Sequence, residues 1–107
     1  MGKGQNLGEL ELTVLLALAG GGQPLSSREV YENIVEATGR ELAVASVHVT
    51  LTRLEGKGLV DASMQEGRPG VGREVTHFAP SSAGHAALRD SRTYWERLWQ
   101  AVDRGEQ

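Results

Sequence analysis

"VASVHVTLTRLEGKGLV", residues 44–60, decides the fold. At a helical period Val44, Val47, Leu51 and Leu54 fall on one stripe, spaced three, four and three residues apart. That stripe belongs to a core. The opposite side carries Ala45, Val49, Thr52, Arg53 and Gly56, with Ser46 and His48 on its flanks and no carboxylate before Glu55. A merely solvated face would carry interspersed Glu and Lys. This one is shaped to lie against a partner.

Upstream, two more helices are expected. Asn6 with Glu9 has capping-box spacing, and "LELTVLLALA", residues 10–19, is apolar nearly all round, as in a helix buried on two sides. "GGG" at 20–22 ends it. Ser26 with Glu29 forms a second capping box, opening a helix whose inner stripe is Val30, Ile34 and Ala37, with Tyr31 beside them, and which stops at Gly39.

Downstream of Gly58 the period changes from 3.6 to 2. "LVDAS" (59–63) and "EVTHFA" (74–79) read as two strands, with Val75 and Phe78 as apolar anchors of the second. The segment between them, "MQEGRPGVGR" (64–73), is too long for a tight turn and makes an extended hairpin tip bearing Arg68 and Arg73. A last helix begins at Ser81 and runs to about Asp103. Its residues Gly84, Leu88, Ser91, Trp95, Leu98 and Val102 alternate spacings of four and three, an a/d seam of nearly three heptads. With Tyr94 and Trp99 beside it, this helix has more apolar surface than one small domain can cover.

The expected fold is therefore mainly α with a small β-hairpin. It is a winged helix-turn-helix over residues 1–80, followed by a C-terminal dimerisation helix over 81–107, the two forming one compact unit. In that plan the third helix enters a major groove and the hairpin flanks it. Ser46, His48, Val49, Thr52, Arg53 and Lys57 are the candidate DNA contacts on and after the helix, and Arg68 and Arg73 those of the wing.

Composition sets the bounds. At 107 residues the chain is one small domain and buries about 60–70% of its unfolded surface, so pairing with a second copy helps it. It has no cysteine, which excludes disulfides, thiolate metal sites and cysteine nucleophiles. No apolar run approaches a membrane span, and no signal-peptide core is present, so a cytoplasmic location is expected. The formal charge is −3 and the pI about 5.6. Between Gly39 and His77, Arg40, Arg53, Lys57, Arg68 and Arg73 meet Glu41, Glu55, Asp61, Glu66 and Glu74, so a DNA face is moderately charged and its binding salt-sensitive. His48, His77 and His85 lack the spacing of a helical metal pair, and no catalytic set stands out, so neither a metal site, a cofactor nor an enzyme is expected.

"LGELELTVLLAL" near the start, "TLTRLEGKGLV" after the third helix and "GREVTHFAPSSAG" entering the last helix resemble the PadR family of bacterial transcriptional regulators over residues 7–100. The "RLE-x-x-GLV" run from Arg53 to Val60 is the most specific part. This resemblance implies a homodimeric regulator of double-stranded DNA, usually a repressor, with the C-terminal helix supplying most of the dimer interface. In some members an aromatic residue of that helix lines a central cavity for flat apolar effectors, and Trp95 stands at the matching place. Leu88, Ser91, Trp95, Leu98, Trp99 and Val102 are thus the candidate interface and effector residues. His48 stands where the family usually has Tyr. The readings to weigh against this one are a winged-helix protein-interaction module without DNA binding and a metal-responsive regulator.

Overall fold

The computed structural model describes residues 7–66 and 74–105. Seven elements follow in order: α1 (Glu9–Gly20), β1 (Leu25–Ser26), α2 (Ser27–Thr38), α3 (Val44–Gly56), β2 (Val60–Glu66), β3 (Glu74–Pro80) and α4 (Ser82–Gly105). Helices α1, α2 and α3 pack on one another around Val14, Leu15, Leu18, Val30, Ile34, Val47, Leu51 and Leu54, all buried. Leu25, Leu59, Val60 and Phe78 close the core from the sheet side. The expected fold, mainly α with a winged hairpin and a long last helix, is the one observed.

Local chemistry accounts for the element ends. Ser26 accepts a hydrogen bond from the Glu29 amide at 3.2 Å, while Glu29 accepts one from the Ser26 amide at 2.9 Å. Gly39 closes α2 at φ 70°, a conformation that costs a residue with a Cβ. At α1 the expected start moves. Gly8 is the cap, and its amide donates to Glu11 Oε1 at 3.0 Å, so Glu11 takes the part read for Glu9. Asn6 lies outside the described residues.

Three other expectations give way to tertiary packing. Val75 is 38% exposed while Phe78 is 2%. The two are three residues apart, and on a strand an odd separation points them to opposite faces. Ala37 is exposed, and α2 meets the core through buried Val30 and Ile34 with half-buried Tyr31 beside them. Leu16 is 53% exposed, so the apolar surface of α1 is not wholly covered within the single chain.

The hairpin is also part of a larger sheet, of order β1-β3-β2. β2 and β3 pair antiparallel without a break from Val60↔Pro80 to Glu66↔Glu74. β1 adds Leu25↔Phe78 and Ser26↔His77, tying the entry of α2 to the base of the wing. Beyond Val60 every β2 residue is exposed, so the ribbon projects from the body.

α4 starts at a tight junction. The Ser81 amide donates to Leu59 O at 3.0 Å, its hydroxyl donates to Gly58 O at 2.7 Å, and the Gly84 amide donates back to Ser81 Oγ at 3.0 Å. A Cβ on Gly84 would collide with Leu59 O. From Arg89 onward nearly all of α4 is exposed, and the molecule is drawn out to 60 × 32 × 21 Å. Gly84→Ala is expected to cost about 1–3 kcal/mol, as overpacking against rigid backbone does, measured as a lower urea midpoint with unchanged slope.

Candidate nucleic-acid interface

The core stripe of α3 fixes which way its other residues face. With Val47, Thr50, Leu51 and Leu54 buried, Ala45, Ser46, His48, Val49, Thr52 and Arg53 are all exposed, Val49 by 53%. Thr50 spends its hydroxyl on Ser46 O at 2.8 Å, so the buried side leaves no polar atom unpaired. Ala43 caps α3 without a side-chain hydrogen bond, and the first turn holds no acid. The Ser46 and Val47 amides donate to Ala43 O at 3.0 and 3.3 Å, so what the helix start offers an anion is its positive dipole end and the two amides before them.

Five of the expected DNA contacts, Ser46, His48, Val49, Thr52 and Arg53, thus share one exposed helix surface. Lys57 does not join them. Its ammonium lies 3.0 Å from Glu11 Oε1 and 2.9 Å from Oε2, and Glu11 is 7% exposed. Lys57 fastens the end of α3 to the start of α1. Arg68 and Arg73 lie outside the described residues. Arg40, on the link before α3, pairs with Glu9 at 2.6 Å.

His48 is held from two sides. Its Nδ1 is 2.8 Å from Ser27 Oγ, at the first turn of α2, and its ring meets the Phe78 ring edge-on at 6.0 Å between centroids. Ser27 was not marked by any local pattern, since the contact spans 21 residues. Close by, His77 Nδ1 donates to Val75 O at 2.9 Å and Nε2 lies 3.9 Å from Glu29 Oε1.

The second expected set lies on α4. Leu88 and Ser91 are half-buried, while Trp95 (50%), Leu98 (45%), Trp99 (64%) and Val102 (49%) are exposed. Tyr94 packs edge-on against Trp95 at 5.2 Å. Leu12 and Leu16 of α1 face Leu88, Ser91 and Trp95 across a groove of about 420 Å³ rimmed by Arg89 and Arg92. Those two leucines are additions to the expected set. Their signal was the excess of apolar residues around α1. Among the described residues no group of three or more His, Asp or Glu is placed to hold a metal, and no helix is long and apolar enough to cross a membrane.

A family model described as penicillinase repressor matches residues 7–77. Solved structures share the fold. A transcriptional regulator from Thermoplasma acidophilum is 21% identical over 89% of this chain and 87% of its own, with a TM-score of 0.71. A PadR family transcription regulator from Clostridium difficile is 14% identical over 94% of this chain and 100% of its own, at 0.73. A PadR family regulator from Eggerthella lenta is 20% identical, covering 89% and 85%, at 0.69. The resemblance to PadR regulators read from the sequence thus holds across the fold. No curated protein matches the chain. The family and these structures are of transcriptional regulators, not of enzymes.

Burial raises the pKa of Glu11, but the Lys57 hydrogen bond, the Gly8 amide and the attraction of Lys57 and Arg53 outweigh it and hold the carboxyl below its usual value. A carboxylate depressed in the folded state contributes stability above its unfolded pKa and loses it as pH falls through the folded one. Acidification through the carboxylate range should therefore cost the natural chain more stability than Glu11→Gln. At neutral pH Lys57→Met should cost about 1–3 kcal/mol by taking from the nearly buried carboxylate its ammonium partner. Urea titrations across pH measure both.

Proposed function

This chain belongs to the penicillinase repressor family, and we propose that it is a cytoplasmic, homodimeric DNA-binding repressor that a small planar aromatic compound releases from its operator. The observation that carries the reading is the outer face of α3: exposed, small or polar, and without a carboxylate before Glu55. Ala45, Ser46 and Val49 let the helix backbone approach a groove floor, while Ser46, His48, Thr52 and Arg53 supply hydrogen bonds to base edges and phosphates. In this reading residues 1–80 form the DNA-binding unit. Arg68 and Arg73 meet phosphates from the wing, and Lys57 acts by anchoring α3 instead of touching DNA.

Residues 81–107 are the dimerisation helix. Trp95, Leu98, Trp99 and Val102 form a long exposed apolar stripe, and contiguous apolar surface of this kind marks an interface. A second copy of the chain is its partner, with the two α4 seams crossing. The groove beside Trp95 supports the effector: it has apolar walls, an indole for stacking and a few polar groups at its rim. Such a compound changes operator affinity by favouring one spacing of the two α3 helices over another.

Sedimentation at micromolar concentration should show a dimer; a monomer would remove both the interface and the shared pocket. Arg53→Ala should weaken operator binding by about 1–3 kcal/mol, read by fluorescence anisotropy with the fold and dimer intact. Planar aromatic compounds should quench tryptophan fluorescence in the natural chain and in Trp99→Ala, and lose that quenching in Trp95→Ala. The reverse pattern would put the pocket elsewhere.

A further inference from the structure

The contact between His48 and Ser27 has a consequence for what α3 reads. His48 sits on the flank of the exposed face, and its Nδ1 is engaged by Ser27 Oγ at 2.8 Å. The buried Phe78 ring lies edge-on to the imidazole at 6.0 Å and 72°, so the ring is held by α2 on one edge and by β3 on another side. Among the described residues no protein group hydrogen-bonds Nε2. An exposed imidazole is ordinarily free to swing between rotamers. This one is held.

A hydroxyl is both donor and acceptor, so Ser27 serves whichever state the ring adopts. In two of the three protonation states of imidazole Nε2 carries a proton: the neutral form whose Nδ1 accepts from the Ser27 hydroxyl, and the imidazolium, whose Nδ1 donates to it. Those two forms suit an acceptor on a duplex, whereas the third suits a donor such as adenine N6 or cytosine N4. Phosphate oxygens only accept, and guanine shows two acceptors, N7 and O6, on its major-groove edge. Ser27 therefore fixes where the ring sits, and the group that meets Nε2 selects its proton.

Resting on the DNA-binding reading above, we infer that Ser27 is a positioning residue that fixes the His48 ring so that Nε2–H reads a guanine acceptor in the major groove. Helix α2 thereby takes part in sequence discrimination without touching DNA. A side chain on the recognition helix alone would swing between rotamers. The tie to α2 removes that freedom before binding, and a preorganised donor loses less entropy on contact.

The test is selection from a random-sequence duplex pool by the full-length chain and by Ser27→Ala, Ser27→Thr and His48→Ala. The natural chain should enrich guanine at one position of each half-site. Ser27→Ala and His48→Ala should both relax that position, with affinity for the selected duplex falling about five- to tenfold. Ser27→Thr, which keeps the hydroxyl, should restore it. Ser27→Ala combined with His48→Ala should lose no more than His48→Ala alone, the signature of two residues acting as one unit. Replacing the selected guanine by 7-deazaguanine should weaken the natural chain and leave His48→Ala unchanged. If affinity falls equally for all sequences, His48 meets phosphate and the base reading is overturned. Equal selection by the natural chain and Ser27→Ala, or additive losses in the double variant, would overturn the positioning role. A natural chain that enriches nothing and shows no salt-dependent binding would instead sink the DNA-binding reading itself.

Discussion

The arrangement turns on the two carbonyls of Gly58 and Leu59, at the end of the turn that follows α3. Ser81 takes both, one through its hydroxyl and one through its amide, and Gly84 then lays α4 directly on Leu59 O, where no Cβ fits. Gly58 reaches this geometry at φ 78°, which glycine adopts without strain. The end of the candidate recognition helix and the start of the candidate dimerisation helix are therefore bonded through a turn of two residues. Backbone contacts of this kind do not yield gradually. In the proposed dimer, a change in how two α4 helices cross is passed to α3 with little slack between them.

A second constraint is electrostatic. The chain carries a net charge of −3, and one of the few cations near α3, Lys57, is committed to a nearly buried carboxylate 46 residues away. What remains to attract DNA is local: Arg53, the uncapped amide end of α3, and the arginines read for the wing. In the proposed dimer, this suits a regulator that relies on shape and on few contacts doubled by symmetry, with a strong dependence on salt. The Lys57–Glu11 pair is not wasted charge. It holds α1 against α3, and so keeps the outer face of α3 at a fixed angle to the body.

Much of this was legible in the residues themselves. The stripe of Val47, Leu51 and Leu54 was readable because a helix core repeats at its own period, and burying that stripe left only one face of α3 to meet a partner. Ser26 with Glu29, and Gly39 and Gly58 beyond the helix ends, mark boundaries by chemistry that acts within three or four residues. The seam of Leu88, Trp95, Leu98 and Val102 announced an uncovered helix because its apolar length exceeds what the rest of the chain can bury. The order of elements alone was enough to give the winged plan.

What lay beyond the sequence shares one physical origin: groups distant along the chain compete for the same surface. β1 has two residues and no period to read, and it is a strand only because Phe78 and His77 arrive beside it. Val75 and Phe78 look alike as letters, and only the pleat sends one inward. Lys57 looked available to phosphate until Glu11 came within 3 Å, and His48 looked free until Ser27 and Phe78 held its ring. The sequence by itself determined the helices, the hairpin and the face of α3 that stays outside, since periodicity and capping act over a few residues. Tertiary structure alone decided which charges are spent inside, where α1 meets α4 and how the His48 ring is aimed, because those depend on contacts distant along the chain that close only when the core does.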